Sequence, residues 1–273
     1  MKELSIRAIS GAIYVLLLIG SLYFQTGLII ILAIFGFLSL IEFSKLIRLK
    51  AYVQYIIFLF LYLFFWYICL YKTEFIGRSE AINILLVVTI FVNLILLKDL
   101  FTFKKIPLFE TKRYITTTFY LSSGFIFMLL IANFQNVFTP LLLLGSFILV
   151  WVNDSAAYLI GKNFGKQKLF PRISPKKTVE GFLGGLFFSC VASFFIALYT
   201  ETLNSTHWLI LAIIVSVFGT FGDLIESKFK RQAGVKDSGV IMPGHGGLMD
   251  RLDSLIFAAP FIYLFLRIIS YVS

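Results

Sequence analysis

Residues 207–227 read HWLILAIIVSVFGTFGDLIES, twenty-one positions with their first carboxylate, Asp223, near the end. Such a run is the length a helix needs to cross the hydrocarbon of a bilayer, about 20 mostly apolar residues. Directly after it the chain turns polar for two dozen residues, Lys228-Phe229-Lys230-Arg231 through His245-Gly246-Gly247-Leu248-Met249-Asp250-Arg251, before apolar character returns. An apolar span, a charged connection and another apolar span recur along the whole chain. Composition agrees, with 59% of the 273 residues hydrophobic and 14% charged, against 45–50% and about 25% in a soluble domain. A soluble globular fold and a disordered chain are both excluded.

Nine segments are candidates for spanning helices: 8–24, 27–44, 52–72, 81–97, 115–133, 138–160, 180–200, 207–227 and 250–271. The N-terminal one resembles a signal peptide but has no small-residue cleavage site, and reads as a retained first helix. No fixed-period repeat or low-complexity linker divides the chain. The expected architecture is therefore an all-α integral membrane protein of about nine transmembrane helices in a single polytopic domain, 1–273. Residues 1–114 supply N-terminal helices. Residues 115–273 form a catalytic part with cytoplasmic loops 161–179 and 228–249.

The net charge of +10 would suggest nucleic acid in a soluble protein. Here its distribution indicates topology instead. Twenty-one Lys and Arg fall in alternate connections, and only Lys72, Arg78 and Arg267 in the others. That alternation predicts N-in, C-out, and no nucleic-acid partner is expected. Cys69 and Cys190 lie in apolar runs and form no disulfide framework.

Chemistry-bearing residues gather in two of the basic connections. If the helix of 207–227 continues, Asp223, Ser227, Lys230 and Arg231 share one face, at i, i+4, i+7 and i+8. Asp250 and Asp253, at i and i+3, share a face of the last helix. Carboxylates converging from two helix ends suit a hard cation such as Mg²⁺ shared with phosphates. A charged, solvated loop is the plainer reading. Against it stands the charge balance, five basic and five acidic groups over 223–253, where a loop for anionic lipid alone would be basic. Between the carboxylates, Lys236 and the glycines around His245 offer an anion-binding turn, with Gly246 and Gly247 as backbone donors and Arg251 beside them. His245 reads as a phosphate donor, an acid–base group or a structural turn residue. The other connection carries Ser174, Lys176, Lys177 and Thr178 before a helix N-terminus, which favours phosphate. Asp154 and Glu180 are second-tier candidates. Gly181, Gly184, Gly185, Gly219 and Gly222 are expected to serve helix packing.

These residues resemble the signature of the phosphatidate cytidylyltransferases, the CDP-diacylglycerol synthases. Ser227-x-Phe229-Lys230-Arg231, then Lys236-Asp237-x-Gly239, then Pro243-x-His245-Gly246-Gly247-Leu248-x-Asp250-Arg251-Leu252-Asp253 covers 27 positions with fixed gaps. Met242 departs from the expected Leu, Ile or Phe, a volume-conserving change. Asp154-Ser155-x-Ala157-Tyr158 and Ser174-Pro175-Lys176-Lys177-Thr178-x-Glu180-Gly181 are also similar to that family. The resemblance is strong over about 150–255, and the first 110 residues match mainly in hydrophobicity. It implies that CTP and phosphatidate give CDP-diacylglycerol and pyrophosphate, with Mg²⁺ and a second cation such as K⁺ between aspartates. It also implies a likeness to homodimers. Asp223 and Asp250 are then the expected principal metal ligands, with Asp253 as a further one, and Lys230, Arg231 and Lys236 as phosphate-neutralising groups. The expected location is a bacterial cytoplasmic membrane, with the site facing the cytoplasm. A CTP-dependent polyprenol kinase and a cation-coupled transporter are the alternatives. The transporter is disfavoured because the acids gather at one membrane face rather than at the midplane.

Overall fold

The computed structural model describes residues 2–72 and 74–272. Apolar runs become helices α1 (Lys2–Ser21), α2 (Gln25–Leu46), α3 (Val53–Trp66, ending in a π-helical turn, Tyr67–Tyr71) and α4 (Arg78–Phe101). Next comes a continuous rod made of α5 (Glu110–Thr116), π-helical turns at Thr117–Ser122 and α6 (Ser123–Ala132). Then follow α7 (Pro140–Phe164), α8 (Val179–Thr200), α9 (Ser205–Ala233) and α10 (Asp253–Val272).

Eight of these helical stretches are long and apolar enough to cross a membrane. The ninth expected span corresponds to α1, in which Ile6–Ser21 forms an apolar stretch shorter than the other eight. The protein is an integral membrane protein built of helices, with two departures from the expected outline. Loop 161–179 contains a small antiparallel hairpin, β1 (Lys168–Phe170) with β2 (Ser174–Thr178), in the register Lys168 to Thr178 and Phe170 to Ser174. Pro175 fits there because the hairpin is two-stranded and every strand is an edge. The second departure is the last connection, which is shorter than 228–249 because α9 runs to Ala233. Gly234, at φ +79°, closes that helix in the left-handed region, and the Val235 amide returns to the Lys230 carbonyl at 2.9 Å.

Every residue of α6 is buried, so this rod is the axis of the bundle. Its neighbours include α2, α7 and α10. Around it, contacts sort the helix ends into two layers. At one end Ser10 Oγ meets His245 Nδ1 at 2.8 Å, Arg113 donates to the Arg48 carbonyl, and Gln232 donates to the Ile106 carbonyl. At the other, Gln25 donates to Asn133, Gln135 to Ser270 and Arg267 to Asn83. Alternate connections therefore share an end.

Candidate active site

The basic end holds the acidic cluster. On α9, Asp223, Glu226, Ser227 and Lys230 line one face, and Asp253 opens α10 against it. Gly222 makes that meeting close: a Cβ there would lie 2.7 Å from the Asp253 carbonyl oxygen and from Phe257 Cβ. Carboxylate oxygens of Asp223, Glu226 and Asp253 lie within 4.8 Å of one another. Glu226 and Asp253 are buried.

Two lysines face these acids. Lys177, from β2, forms an ion pair with Asp223, whose Oδ1 also accepts from Ser227 Oγ at 3.2 Å. Lys230 pairs with Glu226 and, at 2.6 Å, with Asp250. Burial works against the Lys177 ammonium, but Asp223, Asp154 and Asp253 outweigh it and hold its pKa above the usual lysine value. Burial would likewise raise the Asp250 carboxyl. Lys230 and its hydrogen bonds prevail and lower it. Exposed Asp154 on α7 is within electrostatic reach of Lys177 and Asp223.

Asp250 differs from its expected setting. It lies in a 3₁₀ turn, Met249–Arg251, and α10 begins only at Asp253. Its carboxylate accepts from the Ser238 and Gly247 amides, at 3.0 and 2.7 Å, besides Lys230. Gly246, at φ +92°, lets the loop turn back for this, since a Cβ there would meet Asp250 Oδ2 at 2.9 Å. Among the described residues, the acidic group that could hold a metal comprises Asp223, Glu226 and Asp253, and Asp250 stands outside it.

Counted in their ionised forms, Asp223, Glu226, Asp250 and Asp253 carry two more charges than the two ammonium groups that face them. Burying carboxylates without a counter-charge costs several kcal/mol each. One divalent cation restores neutrality, and three oxygens within 4.8 Å fit the coordination sphere of a hard cation, roughly 4–5 Å across.

The remaining expected residues take varied positions. Thr178 is buried as the cap of α8 and accepts from the Gly181 amide at 3.1 Å, while Ser174 sits in the hairpin ladder. Glu180 accepts from the Lys166 and Gln167 amides and ties the hairpin to its helix. Lys176, Lys236 and Arg251 are exposed, and Arg251 donates to the His245 carbonyl. Arg231 donates to the Val235 carbonyl, turned away from Lys230. His245 packs on α1 against Ser10 and Gly11. Burial, Arg251 and Arg7 lower its pKa. Gly181 and Gly185 pack tightly on α7, as expected of small residues.

Two residues absent from the sequence reading belong to the site. Glu226 lies three residues after Asp223 and four before Lys230, a spacing that marks it as a face-mate. Glu42, buried on α2, accepts from the Leu248 and Met249 amides at 3.2 and 2.9 Å and from Ser238 Oγ at 3.3 Å. It pins both arms of the loop that presents Asp250. Its local signal is a lone acid near the end of an apolar run, where ionisable groups are costly unless used.

The geometry accords with comparisons to known proteins. Phosphatidate cytidylyltransferase of Staphylococcus aureus (strain COL) is 51% identical over 126 residues, 45% of this chain and 48% of that protein. The namesakes from Staphylococcus haemolyticus (strain JCSC1435) and Bacillus subtilis (strain 168) are 49% identical over 126 residues and 47% over 124. These matches cover 45% of this chain in each case, and 48% and 46% of the relatives. Each match thus spans about half of the relative's length. The model of the cytidylyltransferase family matches residues 5–269, nearly the whole chain, and the chain belongs to that family.

Proposed function

We propose that the protein is a phosphatidate cytidylyltransferase, converting CTP and phosphatidate to CDP-diacylglycerol and pyrophosphate at the cytoplasmic face of a bacterial membrane. The observation that carries this is the Asp223–Glu226–Asp253 cluster with Lys177 and Lys230 beside it. The names of the bacterial relatives agree.

A phosphatidate oxygen attacks the α-phosphorus of CTP. The new P–O bond forms as the α–β bridging P–O bond breaks, and pyrophosphate leaves. A phosphomonoester has a second pKa of about 6, so the attacking group is already dianionic at neutral pH and needs no general base. The task is to bring two polyanions together by positioning and charge neutralisation. Asp223, Glu226 and Asp253 would hold Mg²⁺, which would offset charge on the triphosphate and the leaving pyrophosphate. Asp250 orients Lys230 instead of holding that ion. Lys177 exchanges Asp223 for a phosphate oxygen when nucleotide enters. Exposed Lys176, Lys236 and Arg251 extend the cationic lining toward the triphosphate. The second cation, of the K⁺ type, and homodimeric assembly stay in this proposal as features to be measured, by potassium dependence and by light scattering in detergent.

The test is the fate of labelled CTP with purified protein in detergent, phosphatidate and Mg²⁺. Release of pyrophosphate with lipid-linked CMP is expected. Release of CDP would instead identify a kinase, and no turnover of CTP would sink the enzyme reading. Asp223→Asn and Asp253→Asn should each lower the rate by about a hundredfold or more, with unchanged elution from size exclusion. Near-normal turnover in both variants would overturn the metal assignment.

A further inference from the structure

A second cavity, of about 450 Å³, opens at the basic end on another side of α9. Lys104, Lys105, Arg172, Lys228 and Arg231 line it, and no acidic side chain does. The carboxylate cluster has the opposite balance. At 3.6 residues per turn, Lys228 and Gln232 point about 150° and about 170° away from the mean direction of Asp223, Glu226, Ser227 and Lys230, and Arg231 about 90°. One helix thus carries acids on one side and lends cations to a cavity on another.

The cations are not equivalent. Buried Lys228 donates to the carbonyls of Asp99 and Thr102 at the end of α4, so its charge reaches the cavity while its protons are committed. Arg172 donates to the Phe103 carbonyl at 3.0 Å, with its guanidinium 4.4 Å from that ring's centre. Lys104 and Lys105 are exposed at the rim.

The rest of the wall is apolar. Leu100 and Ile173 are buried, Leu169 and Phe170 half-buried, and Phe101 and Phe103 are 58% and 81% exposed at the foot of α4. These exposed phenylalanines give the cavity an apolar lip beside its cations at the foot of a spanning helix. A free phosphate or a nucleotide would use the cations and leave this wall unused. An anionic glycerophospholipid uses both, its phosphate among the cations and the start of its acyl chains along Phe101, Leu169 and Phe170. Basic pockets between membrane helices recognise anionic headgroups in this way.

We propose that this cavity is a binding site for the phosphate headgroup of an anionic glycerophospholipid. Arg231 is eight residues from Asp223, about 12 Å along α9. On this proposal the lipid is a resident molecule rather than the reacting one, and its retention is independent of turnover at the carboxylates.

Native mass spectrometry of the full-length protein in mild detergent tests this, with phosphatidylglycerol and phosphatidylcholine offered in equal amounts. The wild type should retain phosphatidylglycerol selectively. The triple variant Lys104→Gln, Lys105→Gln, Arg172→Gln should retain about tenfold less or lower still, since each cation near the surface is worth on the order of fivefold. A control with the same charge change elsewhere at that end, Lys45→Gln, Arg48→Gln, Lys50→Gln, should retain it as the wild type does. Should the triple variant misfold, Lys104→Gln and Arg172→Gln singly carry the test, each with about a fivefold loss. Equal retention in wild type and cavity variants overturns the proposal, as does an equal loss in the control. Displacement of the lipid by CTP or inorganic pyrophosphate would show a nucleotide-phosphate pocket and also overturn it.

Discussion

Glu42 holds three donors of the loop through one buried carboxylate, and two of them are backbone amides that no other side chain serves. Glu42→Gln keeps the shape but turns one acceptor into a donor facing those amides. Its turnover should fall about tenfold or more, in the range for a group that orients functional residues, with the apparent affinity for Mg²⁺ nearly unchanged because Asp223, Glu226 and Asp253 remain. Measuring kcat against Mg²⁺ concentration separates this from loss of a metal ligand. His245 allows a different measurement. Its pKa in the fold lies below the ordinary value of about 6.5, so the unfolded chain binds this proton more readily than the folded one. Stability is unaffected by this group well above pH 6.5 and declines as pH falls below it. Between pH 7.5 and 5.5 the wild type should therefore lose more thermal stability in detergent than His245→Gln. An equal loss would show that the imidazole next to Ser10 is not the group responsible.

At the scale of elements, the meeting of α9 with α10 determines whether the carboxylates converge. Gly222→Val would drive side-chain atoms into the Asp253 carbonyl and Phe257. Overpacking of this kind costs about 1–3 kcal/mol. The variant should melt at lower temperature and lose turnover more than a pure stability change explains, because Asp223 and Asp253 are pushed apart. The same junction shows what was legible beforehand. Asp223 and Asp253 stand out by residue type at the ends of apolar runs. Glu226 does not, because one more charge at the foot of a span resembles the solvated lysines and arginines after it. The three-residue spacing of Asp250 from Asp253 predicts that it shares the last helix, but the backbone there is still in a 3₁₀ turn, and its oxygens are taken by Lys230 and two amides. Glu42 meets Met249 across 207 positions of sequence, and no local pattern encodes such a contact. The hairpin at 168–178 was hidden for another reason: Lys168, Pro175, Lys176 and Lys177 give no alternation of apolar and polar residues, and its formation relies on anchorage by Glu180 and by the Thr178 cap.

For the whole molecule, the helix outline was readable because the bilayer imposes it. A spanning backbone must satisfy its polar groups internally, so apolar length and helix length coincide. The distinct helix is α1, whose N-terminal half contacts the loop at Gly244 and His245. The proposed sidedness can be measured in intact cells. On a background lacking Cys69 and Cys190, a cysteine at Lys176 should resist a membrane-impermeant maleimide, and one at Glu201 should react. The reverse pattern would invert the protein in the membrane and place the acidic cluster outside.

The length of α9 adds a depth scale. Its 29 residues extend about 44 Å, well beyond a hydrocarbon layer of about 30 Å. Counted from Ser205, Asp223 stands about 27 Å up this helix and Lys230 about 38 Å. With Ser205 set at the opposite hydrocarbon boundary, the acids would lie where acyl chains give way to glycerol, and the lysine above them among the headgroups. A lipid phosphate can meet that level by diffusing sideways, without leaving its leaflet. On the proposed reaction, the water-soluble nucleotide would be the partner that descends, and its discarded diphosphate the one that climbs back out.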